Sequence, residues 1–181
     1  MTMLLERSST NREPERECEV VNGVEVELPE MSVESRMIIG RLSRLLSNHA
    51  LANNLGEAHP EIKIKLPPPV DNQRIPDVIF VPFSKWAKNR RLPQTDAWEI
   101  VPDLCVEVLS PFDKIESLDE KVEEYLDSGV KTVWIVQPSV KQVRVYDSPD
   151  AIRVLRKHQT LTGGALLPGF ELPLSELFPS E

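Results

Sequence analysis

Two Pro-Asp dipeptides each run into an apolar stretch: "IPDVIFVP" at residues 75–82 and "PDLCVEVLSP" at 102–111. In the second, Leu104, Val106 and Val108 alternate along the chain, and Glu107 interrupts them. A carboxylate inside an apolar strand is costly to bury unless something pairs with it. If the two stretches are neighbouring strands, Asp77 and Glu107 face one site. Two carboxylates held together raise each other's pKa unless a cation neutralises them. A divalent metal does so: Mg²⁺ takes oxygen ligands, commonly one or two carboxylates, with waters and a substrate phosphate completing its shell. A metal held this way supports hydrolysis of a phosphodiester.

A cation of the protein's own is expected beside this pair. The segment "SLDEKVEEYLDSG" that follows has helical periodicity. At about 100° per residue, Val122, Tyr125 and Leu126 fall within about 80° of Leu118 and define a buried stripe. Lys121 falls at the edge of that stripe beside Tyr125, while Glu120, Glu123, Glu124 and Asp127 fall on the far face. A lysine at such a boundary can lay its stem along the sheet and bring its ammonium toward Glu107, where it would steer the attacking water or stabilise phosphate charge. From these residues alone a plainer reading stays open. In it Asp77 caps a strand, Glu107 sits in a structural ion pair, and Lys121 lies on the surface.

The elements that must position these groups follow from local signals. "EVVNGVEVEL" alternates on both sides of Asn22-Gly23, which predicts a type I′ hairpin. "SVESRMIIGRLSRLLSNHA" places Ile38, Leu42, Leu45 and Leu46 at helical spacing, with Ser32 or Ser35 as cap. "EIKIKL" alternates as a strand, and Pro67 to Pro69 with "VDNQR" then form a loop. "DVIFV" and "DLCVEVL" read as strands. The helix after them opens on a Ser117/Glu120 capping box and closes at Gly129. "TVWIV" and "QVRVYD" form a hairpin across Pro138 and Ser139, and "AIRVL" and "ELPLSELF" complete the chain around Gly163-Gly164. This order predicts an α/β (α+β) domain with one mixed sheet flanked by helices, and a parallel crossover over 103–136. Residues 1–17 read as a frayed segment and 18–181 as one domain.

The 181 residues can bury a full core, and their 40 % hydrophobic and 28 % charged residues are ordinary for a soluble protein. No apolar run reaches the roughly 20 residues of a membrane span, and the charged N-terminus lacks a signal-peptide h-region. A cytoplasmic location is the expectation. Cys18 and Cys105 have no disulfide or metal spacing, and Cys105 reads as core. Trp98 and Trp134 also read as core, and His49, His59 and His158 have no ligand spacing. The net charge of −8 argues against a nucleic-acid partner only until it is divided: nine Glu and three Arg in residues 1–34 contribute −6, leaving −2 for the rest. Within that remainder "FSKWAKNRRLPQ" holds Lys85, Lys88, Arg90 and Arg91 around Trp86 with no acid, a candidate phosphate contact; a solvated loop is the plainer reading. No phosphate-binding glycine loop occurs.

"RIPDVIFV", "PDLCVEVLSPFDK", "LDEKVEEYLDSGVKTVWIVQP" and "LTGGALLPGFELPLSELF", in this order, resemble the Uma-two family. That family is placed in the PD-(D/E)xK nuclease superfamily, with a restriction-endonuclease-like fold. The resemblance spans about residues 19–178 and is strongest from 75 to 138. It implies that Asp77 and Glu107 are the acidic metal ligands. The superfamily's lysine two residues after the second acid is Leu109 here. The resemblance assigns that role to a lysine on the next helix, which Lys121 matches. It also offers Glu34 of the first helix as an added acid. Ser35 stands where many relatives carry His, and Gln137-Pro138 where the family has Asp-Pro.

The expectation is a Mg²⁺-dependent (or Mn²⁺-dependent) endonuclease acting on nucleic acid, in particular DNA, and forming a homodimer through the strands of 133–146. The alternative is a catalytically silent module that keeps the fold and binds nucleic acid or protein.

Overall fold

A computed structural model of the chain describes residues 17–113 and 115–178, with side chains left aside at 115–117. Residues 1–16, all within the segment expected to fray, lie outside the described residues. Strands β1 (Cys18–Val21) and β2 (Val24–Glu27) form the expected hairpin. Asn22 and Gly23 both have positive φ, 52° and 77°, as a type I′ turn requires. Helix α1 (Val33–Ala52) is capped by Ser32, whose side chain accepts the Ser35 amide. It buries Ile38, Ile39, Leu42, Leu46 and Ala50, a stripe at helical spacing.

The next segment departs from expectation. Strand β3 (Gly56–Pro60) forms where no alternation signals it, and "EIKIKL" contributes only β4 (Ile64–Lys65) as regular strand. Within the predicted loop, β5 (Gln73–Arg74) pairs with both β1 and β4. Then come β6 (Val78–Pro82), β7 (Leu104–Val108), α2 (Ile115–Asp127) and β8 (Thr132–Gln137). α2 opens at Ile115, so Ser117 lies inside the helix rather than at its cap. Its C-terminus is the expected one. Gly129 has φ 95°, and the amides of Val130 and Gly129 donate back to Tyr125 and Leu126 carbonyls, a Schellman closure. Strands β9 (Gln142–Ser148), β10 (Ala151–Arg156), β11 (Thr160–Gly163) and β12 (Leu167–Pro173) follow, and the one-turn α3 (Leu174–Leu177) ends the described chain.

Three sheets form among the described residues, not one. They are a small β2-β1-β5-β4 sheet, a mixed β10-β9-β8-β7-β6-β3 sheet, and the β11-β12 ribbon. β7 and β8 are parallel across α2, as predicted, and β6 runs antiparallel to β7. Strands β8 and β9, expected to offer a dimer edge, are interior; the free edges of the large sheet are β10 and β3. Cores cover both faces of β6 and β7, which is why both read as continuous apolar runs. Val78, Phe80, Leu104, Val106 and Val108 face α1 and α3, while Ile79, Val81 and Cys105 face α2. Side chains alternate along a strand, so Glu107 shares the α2 face with Cys105, and Asp77 shares it with Ile79.

Candidate active site

The β6–β7 register pairs Val78 with Val106, which brings Asp77 level with Glu107. Both carboxylates are buried, at 8 % and 7 % exposure. Each is held by one oxygen. Asp77 Oδ2 accepts the Val108 amide at 2.5 Å, and Glu107 Oε1 accepts the Tyr125 hydroxyl at 2.6 Å. Among the described residues no donor is placed on Asp77 Oδ1. Among these residues Glu107 Oε2 meets only the Lys121 ammonium, 3.7 Å away. The expected proximity of Lys121 is therefore present in the structure.

The strongest partner of Lys121 is a different residue. Its Nζ donates to Glu19 Oε1 at 2.9 Å. Glu19 stands on β1 at 3 % exposure and also accepts the Ile75 amide at 3.0 Å. Its second oxygen accepts Arg74 Nη1 at 2.8 Å. Arg74, on β5, turns its Nε and Nη2 to the two oxygens of Glu124, both at 2.8 Å. Asn72 completes the chain, donating to Glu124 at 2.9 Å and accepting the Asn22 amide at 2.8 Å. Glu124 thus corrects its placement on a solvent face: it stands one helical turn after Lys121 and grips a buried guanidinium.

Burial and mutual charge decide the protonation states. Burial first, and then the Glu107 charge, hold Asp77 well above the usual carboxylate range. Burial also raises Glu107, against the pull of Lys121 and the Tyr125 hydroxyl. Burial would raise Glu19 too, but Lys121, the Ile75 amide and Arg74 outweigh it and bring its pKa below the ordinary value. For Lys121, burial favours the neutral form, yet the Glu107 and Glu19 charges prevail and raise its pKa. The pair Asp77–Glu107 is thus short of positive charge, while Glu19 is fully compensated.

These groups lie in a cavity of about 640 Å³, walled by the hairpin residues Val26 and Leu28, by Met31, and by Leu109 and Phe112. Leu109, where the resemblance leads one to expect a lysine, forms an apolar wall. Ser35 turns inward to donate to the Leu109 carbonyl at 3.1 Å, tying the start of α1 to the end of β7. Glu34 is exposed on the first turn of α1 and does not line the cavity.

The basic segment lies elsewhere. It leaves β6 at Pro82, at the opposite end of that strand from Asp77. Lys85 is 2.6 Å from Asp103 Oδ1, and Lys131 is 2.7 Å from Asp103 Oδ2. The second Pro-Asp is therefore a structural ion pair. Lys88 lies over the Phe83 ring at 5.7 Å and Arg90 over Trp86 at 3.9 Å, while Arg91 is exposed. None of the four lines the cavity.

Among the described residues no group of three or more His, Cys, Asp or Glu side chains is arranged to hold a metal by itself. Two carboxylates, each with one oxygen to spare, do match the donor set of Mg²⁺, which keeps waters and substrate oxygens in its shell. Sequence reading missed Glu19 and Arg74. A signal existed for Arg74, which stands three residues before Asp77 in a stretch otherwise without cations, Asp71 to Val81.

Both the fold and the sequence have counterparts among other proteins. A crystal structure from Anabaena variabilis ATCC 29413, described as that of "a putative nuclease belonging to DUF820", superposes with a TM-score of 0.79 over 89 % of each chain at 17 % identity. That likeness establishes the fold. No curated protein matches the sequence. Among the described residues no helix is long and apolar enough to cross a membrane. Residues 4–175 match the family model Uma2, "Putative restriction endonuclease", and the chain belongs to that family.

Proposed function

We propose that this protein is a Mg²⁺- or Mn²⁺-dependent nuclease that hydrolyses phosphodiester bonds of DNA. The observation that carries this reading is the Asp77–Glu107 pair: two buried carboxylates on adjacent strands, each fixed through one oxygen and open at the other, with the Lys121 ammonium 3.7 Å from Glu107. Asp77 Oδ1 and Glu107 Oε2 would hold the metal. When bound, it would lower the pKa of a water and withdraw charge from the scissile phosphate.

The chain's own groups supply the rest. The Val108 amide and Tyr125 hydroxyl fix the direction of the two carboxylates, so the open oxygens keep their spacing without reorganisation. The Lys121 ammonium, kept charged by its two acidic neighbours, would donate to the nucleophile or to a phosphate oxygen. Charge balance points to the same stoichiometry. With both carboxylates ionised, Glu19, Asp77, Glu107 and Glu124 against Arg74 and Lys121 give a formal −2 (2 − 4), which one divalent cation would offset. The mouth carries further acids, among them Glu30, Glu61 and Asp113, so a polyanion approaches favourably only with the metal in place.

The acidic mouth also favours a second reading, a module that keeps the fold and binds protein without cleaving. Strand scission separates the two. The purified protein is expected to cut DNA with Mg²⁺ or Mn²⁺, to stop in EDTA, and to lose about 100-fold or more of its rate in Glu107→Gln. Cutting by Glu107→Gln at the wild-type rate contradicts the assignment, and no cutting by the wild type with either metal favours the binding module.

A further inference from the structure

We infer that Glu19 is a positioning residue for the proposed nuclease, holding the Lys121 ammonium beside Glu107 and taking no metal itself. The inference rests on the nuclease reading for its consequence, but its geometry stands apart from it. Lysine carries a flexible four-carbon stem that needs an anchor if its charge is to act at one point. Here the anchor is Glu19, at 2.9 Å, and Glu107 is the farther acid at 3.7 Å.

The acceptor pattern distinguishes Glu19 from the two proposed ligands. Both of its oxygens are engaged, Oε1 by Lys121 and the Ile75 amide, Oε2 by Arg74. A metal could take Glu19 only by displacing these donors from a site that is 3 % exposed. Among the described residues Asp77 Oδ1 takes no donor and Glu107 Oε2 meets only the Lys121 ammonium, at 3.7 Å. Glu19 is itself held from two directions, by its own strand β1 and by Arg74 of β5. Arg74 is then fixed to Glu124, on the same helix as Lys121. The small sheet and α2 thus grip each other at two points one helical turn apart, and the lysine is delivered by docking the hairpin sheet onto the helix. Partners of this kind, one step behind the groups that touch metal or substrate, commonly change activity 10–100-fold when lost.

The test compares wild type with Glu19→Gln, which keeps an acceptor for the Ile75 amide but removes the charge. The expected result is kcat lower by about 10–100-fold with KM and the Mn²⁺ Kd, read by calorimetry, within about 2-fold. Adding Glu19→Gln to Lys121→Met should cost nothing beyond Lys121→Met alone. An unchanged kcat overturns the inference, and so does a Mn²⁺ Kd at least tenfold weaker, which would make Glu19 a ligand. If Glu19→Gln does not fold, Glu19→Asp keeps the charge and withdraws it by one methylene; the same kcat loss at unchanged Mn²⁺ affinity is expected, and a wild-type kcat overturns it. Should the wild type cleave nothing, the nuclease reading fails, and ¹⁵N-lysine NMR still decides the positioning role. The Lys121 ammonium signal, slowed in solvent exchange by its ion pair, is expected in the wild type and lost in Glu19→Gln; its survival there overturns the inference.

Discussion

Asp77 Oδ2 accepts the backbone amide of Val108 at 2.5 Å, across the β6–β7 pair. This bond ties the first acid to the strand that carries the second. Among the described residues the other Asp77 oxygen takes no donor, and the bond acts one residue beyond Glu107. The Asp77 carboxylate is thereby set by the sheet backbone and the Glu107 carboxylate by the buried Tyr125 hydroxyl, the fixed pair that a two-point metal grip requires.

The lysine's place on α2 rather than β7 can be tested by moving it. Leu109 follows Glu107 by two residues, lines the cavity, and so shares its face. Lys121→Met keeps the apolar stem and removes the ammonium; cleavage is expected to fall about 100–1,000-fold. Adding Leu109→Lys to that variant should restore at least about tenfold, measured as the initial rate on one labelled DNA. Wild-type activity in Lys121→Met would remove the lysine from the mechanism.

Glu19 contributes a pH-dependent stability whose sign follows from its pKa. Burial alone would raise that pKa, but the Lys121 ammonium, the Ile75 amide and Arg74 hold it below the ordinary value. The unfolded chain therefore binds the proton more readily in the window between the two values. Stability from this group is fully present above the unfolded pKa of about 4.3 and is lost as pH falls through the folded one. Thermal melts are expected to separate wild type from Glu19→Gln at pH 7 and to converge as the pH drops below about 4. A difference in melting temperature that persists undiminished in acid would contradict the ion-pair role.

Arg74 is 5 % exposed and satisfies two carboxylates. Arg74→Met fills the volume but leaves Glu19 and Glu124 without their shared cation. Breaking a buried pair in this way costs about 3–5 kcal/mol, at about 2–4 °C in melting temperature per kcal/mol for a chain of this size. Adding Glu124→Gln should recover part of the loss, since it removes the carboxylate that loses its cation, whereas Glu19 keeps Lys121. Melts of the two variants check this; an unchanged melting temperature in Arg74→Met would mean the network is not holding the small sheet to α2.

What was legible in the chain was what local chemistry encodes. The Asn22-Gly23 turn, the Ser32 cap, the apolar runs of β6 to β8 and the Gly129 terminus all act within a few residues. Asp77 and Glu107 were legible because each breaks an apolar run, and Lys121 because it breaks a helical charge pattern. Glu19 and Glu124 were not. Glu19 looks like the solvent-facing member of an alternating hairpin, and its inward turn depends on Arg74 and Lys121, 55 and 102 residues away. β5 is two residues long and exists only because β1 and β4 flank it. β3 alternates in burial but carries only Gly56 and Ala58 on its inner face, with no large apolar residue to announce it; Gly56 permits its close approach to β6, where a Cβ would lie 2.3 Å from the Val81 carbonyl oxygen.

In the proposed site Asp77 and Glu107 together would hold one divalent cation. Calorimetric titration of Mn²⁺ into the metal-free protein tests it most directly. One site is expected in the wild type, abolished in Asp77→Asn and in Glu107→Gln, with both variants folded by thermal melt. Binding that survives unchanged in both variants, or no binding in the wild type up to millimolar Mn²⁺, would contradict it.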